Sequence, residues 1–289
     1  MSLSYANTPV YIGQINTSAV NTGFTGAVDY IPATNADVTF NTSLNAKRKL
    51  GIDITNTDQL TVGGALTAEI NINSLIYPTL DQGFRYLSGV PSEARDSFVP
   101  IKIGENIYKK CYPKSITVNI EPLKPATITA TFTSLDPPTG TKLSGDSRGL
   151  IETYNYPLSG DRFVYGHTSS MINGNTVVGN VQSSVVFTRN YNRTPVYGIG
   201  SPSPTSMLLD GIDEEMSITS TGLQNFINLS GDILASQVTL HMQDTELSMG
   251  GLMSTIAKMP VGSRVVSQKY GSSEGDTVST TATIKNIEL

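Results

Sequence analysis

The sequence predicts a mainly β protein built as two tandem β-sandwich or barrel domains, each with one flanking helix. Three observations predict it. Across 289 residues only 15% are charged while 38% are hydrophobic, and Ser, Thr, Asn and Gly fill the remainder, a composition that favours strands and turns over solvated helical faces. Short stretches alternate apolar and polar residues with the period of two of a half-buried strand. One segment recurs in the second half of the chain, and a chain of this length accommodates two cores.

The recurring segment runs from Phe40 to Gly51 and aligns without a gap on Phe187 to Gly198, with Phe, Asn and Gly coinciding and Leu44/Tyr191 and Leu50/Tyr197 matching as apolar pairs. An alternating strand follows each copy, Leu66, Ala68, Ile70 and Ile72 in the first half, Met216 and Ile218 in the second. Later, Pro122 matches Pro260, and each is followed by a further strand, Ile128 to Phe132 and Val265 to Tyr270. The resulting organisation is an N-terminal arm over 1–26, a first β domain over 27–135, a linker and connecting segment over 136–174, and a second β domain over 175–289. Asp136-Pro137-Pro138-Thr139-Gly140 opens the linker, because prolines and glycines oppose both helix and ladder. The arm has little core material and is expected to order on a neighbour. Helix is expected over 247–258, where Met249, Leu252, Met253 and Ile256 recur at helical spacing despite Gly250 and Gly251, and secondarily over 223–235.

The net charge is −5 with no block of like charges, so there is no basic footprint for gripping nucleic acid. No apolar stretch is long enough to span a membrane, and the opening residues lack the features of a signal peptide; a cytoplasmically made chain is expected. Cys111 is the sole cysteine and reads as a small half-buried hydrophobe. The two histidines, His167 and His241, fall in different halves; no Gly-x-Ser-x-Gly elbow frames a serine, and His241 between Leu240 and Met242 reads as an outward-facing strand residue. No Walker loop, dinucleotide fingerprint, zinc motif or paired cysteine occurs, so no catalytic residue, cofactor or metal is expected. The acidic run Asp210, Asp213, Glu214, Glu215 lacks the spacing of an EF-hand loop. It reads as a solvated loop. The Asn-x-Ser/Thr sites at Asn16, Asn41, Asn192 and Asn228 are those expected of the composition.

A surface this poor in charge points to a chain whose faces are covered by copies of itself. Arg193-Thr194-Pro195-Val196-Tyr197-Gly198-Ile199-Gly200 followed by Met216-Ser217-Ile218-Thr219-Ser220, and Lys47-Arg48-Lys49-Leu50-Gly51 followed by Glu69-Ile70-Asn71-Ile72-Asn73-Ser74, resemble the tail-tube-like domain of long-tailed bacteriophages and related contractile injection machines. These pieces lie within residues 47–74 and 193–220.

The resemblance implies a structural virion subunit, not an enzyme, that self-assembles into stacked rings forming the conduit for DNA ejection, with DNA passing through without specific binding. Asp210, Asp213, Glu214 and Glu215 then become candidate channel-lining residues. Implied partners are further copies of the chain, in a trimer with pseudo-sixfold symmetry or a hexamer, with a tail sheath and baseplate or neck proteins beyond them. A neck, baseplate or tube-completion protein with the same domain is the nearest alternative. A surface adhesin or carbohydrate-binding module is the alternative of another class.

Overall fold

The computed structural model describes residues 2–5, 10–13, 28–31, 33–48, 59–75, 98–104, 106–121, 124, 126–135, 168–172, 175–176, 182–199, 204–221, 238–242, 254–260, 262–272 and 278–288. The protein is mainly β and antiparallel, as the composition predicts, and among the described residues there is no helix. Its strands are β1 (Ser2–Tyr5), β2 (Val10–Gly13), β3 (Val28–Ile31), β4 (Ala33–Arg48), β5 (Gln59–Leu75), β6 (Val99–Ile103), β7 (Asn106–Ile120) and β8 (Thr127–Ser134) in the first half. The second half has β9 (Thr168–Ile172), β10 (Asn175–Thr176), β11 (Gln182–Tyr197), β12 (Pro204–Thr221), β13 (Val238–Met242), β14 (Ser254–Met259), β15 (Arg264–Gly271) and β16 (Ser279–Glu288).

Nine strands form one open path in the order β1-β4-β5-β8-β7-β11-β12-β16-β15. The order repeats. In the first half β4-β5-β8-β7 lie side by side, and in the second β11-β12-β16-β15 do the same, each unit being a long hairpin followed by a hairpin inserted in reverse order. The last strand of the first unit, β7, pairs with the first strand of the second, β11, from Ser115 opposite Asn190 to Ile120 opposite Val185. Both halves therefore belong to one sheet.

Matching the halves through this pairing alters the correspondence expected from sequence. β8 takes the place of β16 and β7 that of β15, so Ile128 to Phe132 is not the counterpart of Val265 to Tyr270. The last strand of each unit carries a register irregularity, between Pro113 and Ser115 in β7 and between Val265 and Ser267 in β15. Phe132 faces Pro113 and Ile284 faces Val265; following the rungs outward, Phe132 meets Ile70 and then Val38, while Ile284 meets Met216 and then Phe187. Val38, not Phe40, is thus the equivalent of Phe187. The displacement of two residues keeps every side chain on its face, because the strand period is two.

That period separates the faces cleanly. Ile70, Ile72, Ile116, Val118, Ile128, Phe132, Val185, Phe187, Met216, Ile218, Val265 and Ile284 are all buried in a single core. Over the first half this core is closed by β6, β2 and β3, which branch from the upper part of β7 and bring in Val10, Ile12, Ile31, Ile101 and Ile103. Residues 10–12 are therefore core and not arm: Val10, Tyr11 and Ile12 are buried, since β2 pairs on both sides, with β3 and with β6. Over the second half a separate four-stranded sheet, β10-β9-β13-β14, brings β14 near β12 and β16, and Met259 enters the same core.

The helix expected over 247–258 is overturned where it is described, since Ser254 to Lys258 belong to β14, paired with β13 from Val238 opposite Met259 to Met242 opposite Ser254. Ladder pairing overrides a helical period spanning two turns and weakened by two glycines. Residues 223–235, His167 and the 136–149 linker lie outside the described residues; His241 lies in β13.

The division into a core face and a polar face predicts unequal costs for neighbouring substitutions. Phe132→Ala, with Phe132 fully buried, should cost about 3–5 kcal/mol, and Thr131→Ala, on the opposite face, under about 1 kcal/mol. Urea unfolding of the two variants checks this.

Candidate assembly surface

The face of the main sheet turned away from the core, which no described residue covers, can be read as rows across the strands. One row runs Asp37, Asn71, Thr131, Ser115, Asn190, Asp213, each residue opposite the next. The adjacent row runs Asn35, Asn73, Thr129, Thr117, Thr188, Glu215, Lys285, Arg264. Both rows cross from one half to the other without a break. As far as Asp213 in the first row and along all of the second every residue is polar; the first row goes on to Ile287, and the next row along the strands carries Val186 between Asn119 and Ser217.

Hydrogen bonds within and across the rows hold these side chains in place. Thr131 Oγ1 donates to Asn71 Oδ1 at 2.8 Å and Thr129 Oγ1 to Asn73 Oδ1 at 2.7 Å. Thr219 and Thr281 share a hydrogen bond of 3.1 Å two rows beyond Glu215, and Asn192 Nδ2 donates to Asp213 Oδ2 at 2.9 Å. Two of its lysines are neutralised on the spot. Lys114 Nζ lies 2.7 Å from Glu69, and Lys285 Nζ lies 2.8 Å from Glu215, whose hydrogen bond and charge hold the lysine pKa above its ordinary value. A carpet of hydroxyls and amides in which Lys114 and Lys285 are paired offers a polyanion few handholds, Val186 between Asn119 and Ser217 being apolar and Arg264 and Lys269 of β15 adding positive charge at one edge.

The acidic run does not act as one cluster. In β12, Asp213 and Glu215 point to the polar face, and Asp210, at a register irregularity opposite Asn192 and Arg193, accepts a hydrogen bond from Thr194. Glu214 points the other way. It is buried against Arg189, whose Nη2 and Nε lie 2.5 and 2.7 Å from Glu214 Oε1, while Asn286 Nδ2 donates to Oε2 at 3.1 Å. Glu214 is only 5% exposed, so it cannot line a channel on the polar face.

Sequence reading missed Arg189 altogether, although the signal is visible: Ile212, Glu214, Met216, Ile218 and Val185, Phe187, Arg189, Tyr191 are two period-two series, each with one charge of opposite sign. Burial works against the Arg189 charge, but Tyr191 and Glu214 more than offset it and leave its pKa raised. Burial also pushes the Tyr191 hydroxyl up, against the pull of Arg189 and Arg193. Beyond it, the Arg193 guanidinium stands 5.4 Å from the Tyr112 ring and 5.8 Å from the Tyr191 ring, and its Nε donates to the Pro113 carbonyl at 3.1 Å. Arg193 thus ties β11 to β7 where their ladder ends.

Among the described residues, large apolar side chains are exposed in two places. Tyr197, Ile199 and Leu208 lie at the far end of the β11/β12 hairpin, and Val266 and Tyr270 on the terminal strand β15. Among the described residues, no group of three or more His, Cys, Asp or Glu could hold a metal ion. No protein-family model and no curated protein matches the chain.

Two outcomes test the buried network. Glu214→Ala, which strands the Arg189 charge, should cost about 3–5 kcal/mol in urea unfolding, and Arg189→Met with Glu214→Leu should recover most of it. The raised pKa of Tyr191 means that its neutral form is held by the fold, so its contribution is complete below the ordinary tyrosine value, about 10, and lost as pH rises through the folded value. Stability measured against pH should fall on that alkaline limb, and less steeply in Tyr191→Phe.

Proposed function

We propose that this chain is the tube subunit of a long-tailed bacteriophage tail, three copies of which close into a ring and stack into the conduit for DNA. The observation that carries the reading is the head-to-tail join of two like units within one chain. β7 of the first unit pairs with β11 of the second, which leaves at the two ends the same two kinds of strand that the join consumes, β4, covered only by the four residues of β1, and β15. Such a heterologous contact repeats until it closes. Closure also removes the edges that would otherwise invite uncontrolled pairing.

The size of the closed ring favours three chains. Each contributes eight strands to the repeating path, and at a spacing of about 4.8 Å and a tilt of about 40°, twenty-four strands close at a diameter of about 48 Å. Side chains of about 5 Å on each wall leave a bore just under about 40 Å, which passes a hydrated DNA duplex. Two chains would give about 32 Å between backbones, too tight once side chains are placed, and six about 96 Å, far wider than the cargo.

The lumen in this reading is the polar face, with Asp213 and Glu215 among its wall residues and Lys114 and Lys285 silenced by their carboxylates. A sliding polyanion needs weak contact that salt hardly changes. The exposed Tyr197, Ile199 and Leu208 at one end of the β11/β12 hairpin supply the apolar contact for stacking on the next ring.

Purified protein at increasing concentration should pass from monomer to rings of three chains and then to tubes, followed by sedimentation and negative-stain microscopy. Ile199→Asp with Leu208→Asp should stop at single rings. Persisting monomers at high concentration, or filaments without a bore, contradict the reading. Glu69→Ala with Glu215→Ala, which unmasks Lys114 and Lys285, should make duplex DNA adhere to the tubes at low salt and release at high salt.

A further inference from the structure

The edge of β4 that a ring would need is already occupied. β1 pairs antiparallel with β4, from Ser2 opposite Thr39 to Tyr5 opposite Ala36. In the correspondence between halves, Val38 is the equivalent of Phe187, so Ala36 to Thr39 match Val185 to Thr188 of β11. Those four residues of β11 are the ones taken by Ile120 to Thr117 of β7 in the join between the halves. One stretch of backbone therefore has two claimants in an assembly, β1 of its own chain and β15 of the next copy. The outward N–H and C=O groups of a strand serve one neighbour on each side.

We propose, building on the ring reading above, that β1 is a displaceable edge guard: it pairs with Ala36 to Thr39 in the free chain and yields that edge to β15 of a neighbouring copy as the ring closes. The register follows from the β7:β11 join. Val38 receives Tyr270, Thr39 receives Lys269, and Ala36 receives Ser272, with Gln268 and Tyr270 on the core face and Lys269 on the polar face.

Three features of the two claimants favour the exchange. β1 is 4 residues long and β15 is 8, so the newcomer brings a longer ladder. Tyr270 is 49% exposed at the end of the sheet although it projects on the core side, and opposite Val38 its ring would be covered by apolar surface. β15 carries Lys269 on the polar face, and its diagonal neighbour there would be Asp37. In the free chain the guard protects β4 from edge-to-edge pairing with the wrong strand. It also places a kinetic step before ring closure, which keeps a concentrated pool of subunits from polymerising at random.

The test compares assembly rates, read by light scattering and microscopy, in three forms of the full chain. Removing residues 2–5 should shorten the nucleation lag about tenfold, the effect of freeing about four cross-strand pairs, and yield the same rings. Leu3→Cys with Val38→Cys, oxidised to lock β1 in place, should stay unassembled and should form rings once reduced. Equal lags in all forms, or an oxidised variant that assembles as fast as its reduced form, overturn the proposal. Loss of rings on deletion of a folded chain overturns it too, because β1 would then be a bridging strand between β15 and β4. The locked variant retains every residue of the edge, so it decides the matter even where the deletion fails to fold. An unaltered chain that never forms rings removes the ring reading itself, and that failure is seen before either variant is examined.

Discussion

The six pairs that join β7 to β11, from Ser115 with Asn190 to Ile120 with Val185, are the constraint on which the rest of the structure depends. Ile116, Val118 and Ile120 on one side meet Arg189, Phe187 and Val185 on the other, so the core of the first half runs into that of the second. A slip of one residue would turn both sets to the wrong face. Arg193 fixes the end of the join by donating to the Pro113 and Met207 carbonyls while lying over the rings of Tyr112 and Tyr191. Deep on β11, the Arg189 to Glu214 pair costs desolvation that an apolar pair would avoid, and what it contributes is a register that tolerates no shift.

Two consequences follow from a join of this kind. Because both units keep the same sense and the same strand order, their polar faces merge into one surface, which is why rows such as Asp37 to Asp213 cross the middle of the chain unbroken. Because the join is head to tail, it leaves a first-type edge and a last-type edge that, among the described residues, only the short β1 partly covers. The scarcity of charge in the sequence acquires a physical reason in this arrangement. One face is packed, and the other is a lattice of hydroxyls and amides in which Lys114 and Lys285 are paired to carboxylates.

Much of this was legible in the sequence, and the residues that misled are instructive. Period-two alternation located β5, β12, β8 and β15 correctly, because each has one face in the core. The repeat was visible too, but its alignment on Phe40 and Phe187 was two residues out and its last strands were crossed. Sequence order does not reveal that each half inserts its second hairpin in reverse, so β8 was compared with β15 and not with β16. The helical spacing of Met249, Leu252, Met253 and Ile256 gave way to β13 pairing over the part that is described. Residues 10–12 looked like an arm because a three-residue apolar run carries no period; only the pairing of β2 with both β3 and β6 makes it core. The acidic run was read as a unit, whereas consecutive strand residues face opposite ways, which puts Asp213 and Glu215 on the surface and Glu214 beside Arg189.

The central claim is that the join within the chain is the template for the join between chains. Electron cryomicroscopy of the assembled particle, at a resolution that traces strands, tests it most directly. The account predicts that β15 of each copy lies antiparallel to β4 of the next, with Tyr270 opposite Val38, in a ring of three chains. Rings in which β15 remains solvent-exposed and the copies touch through other surfaces would contradict it.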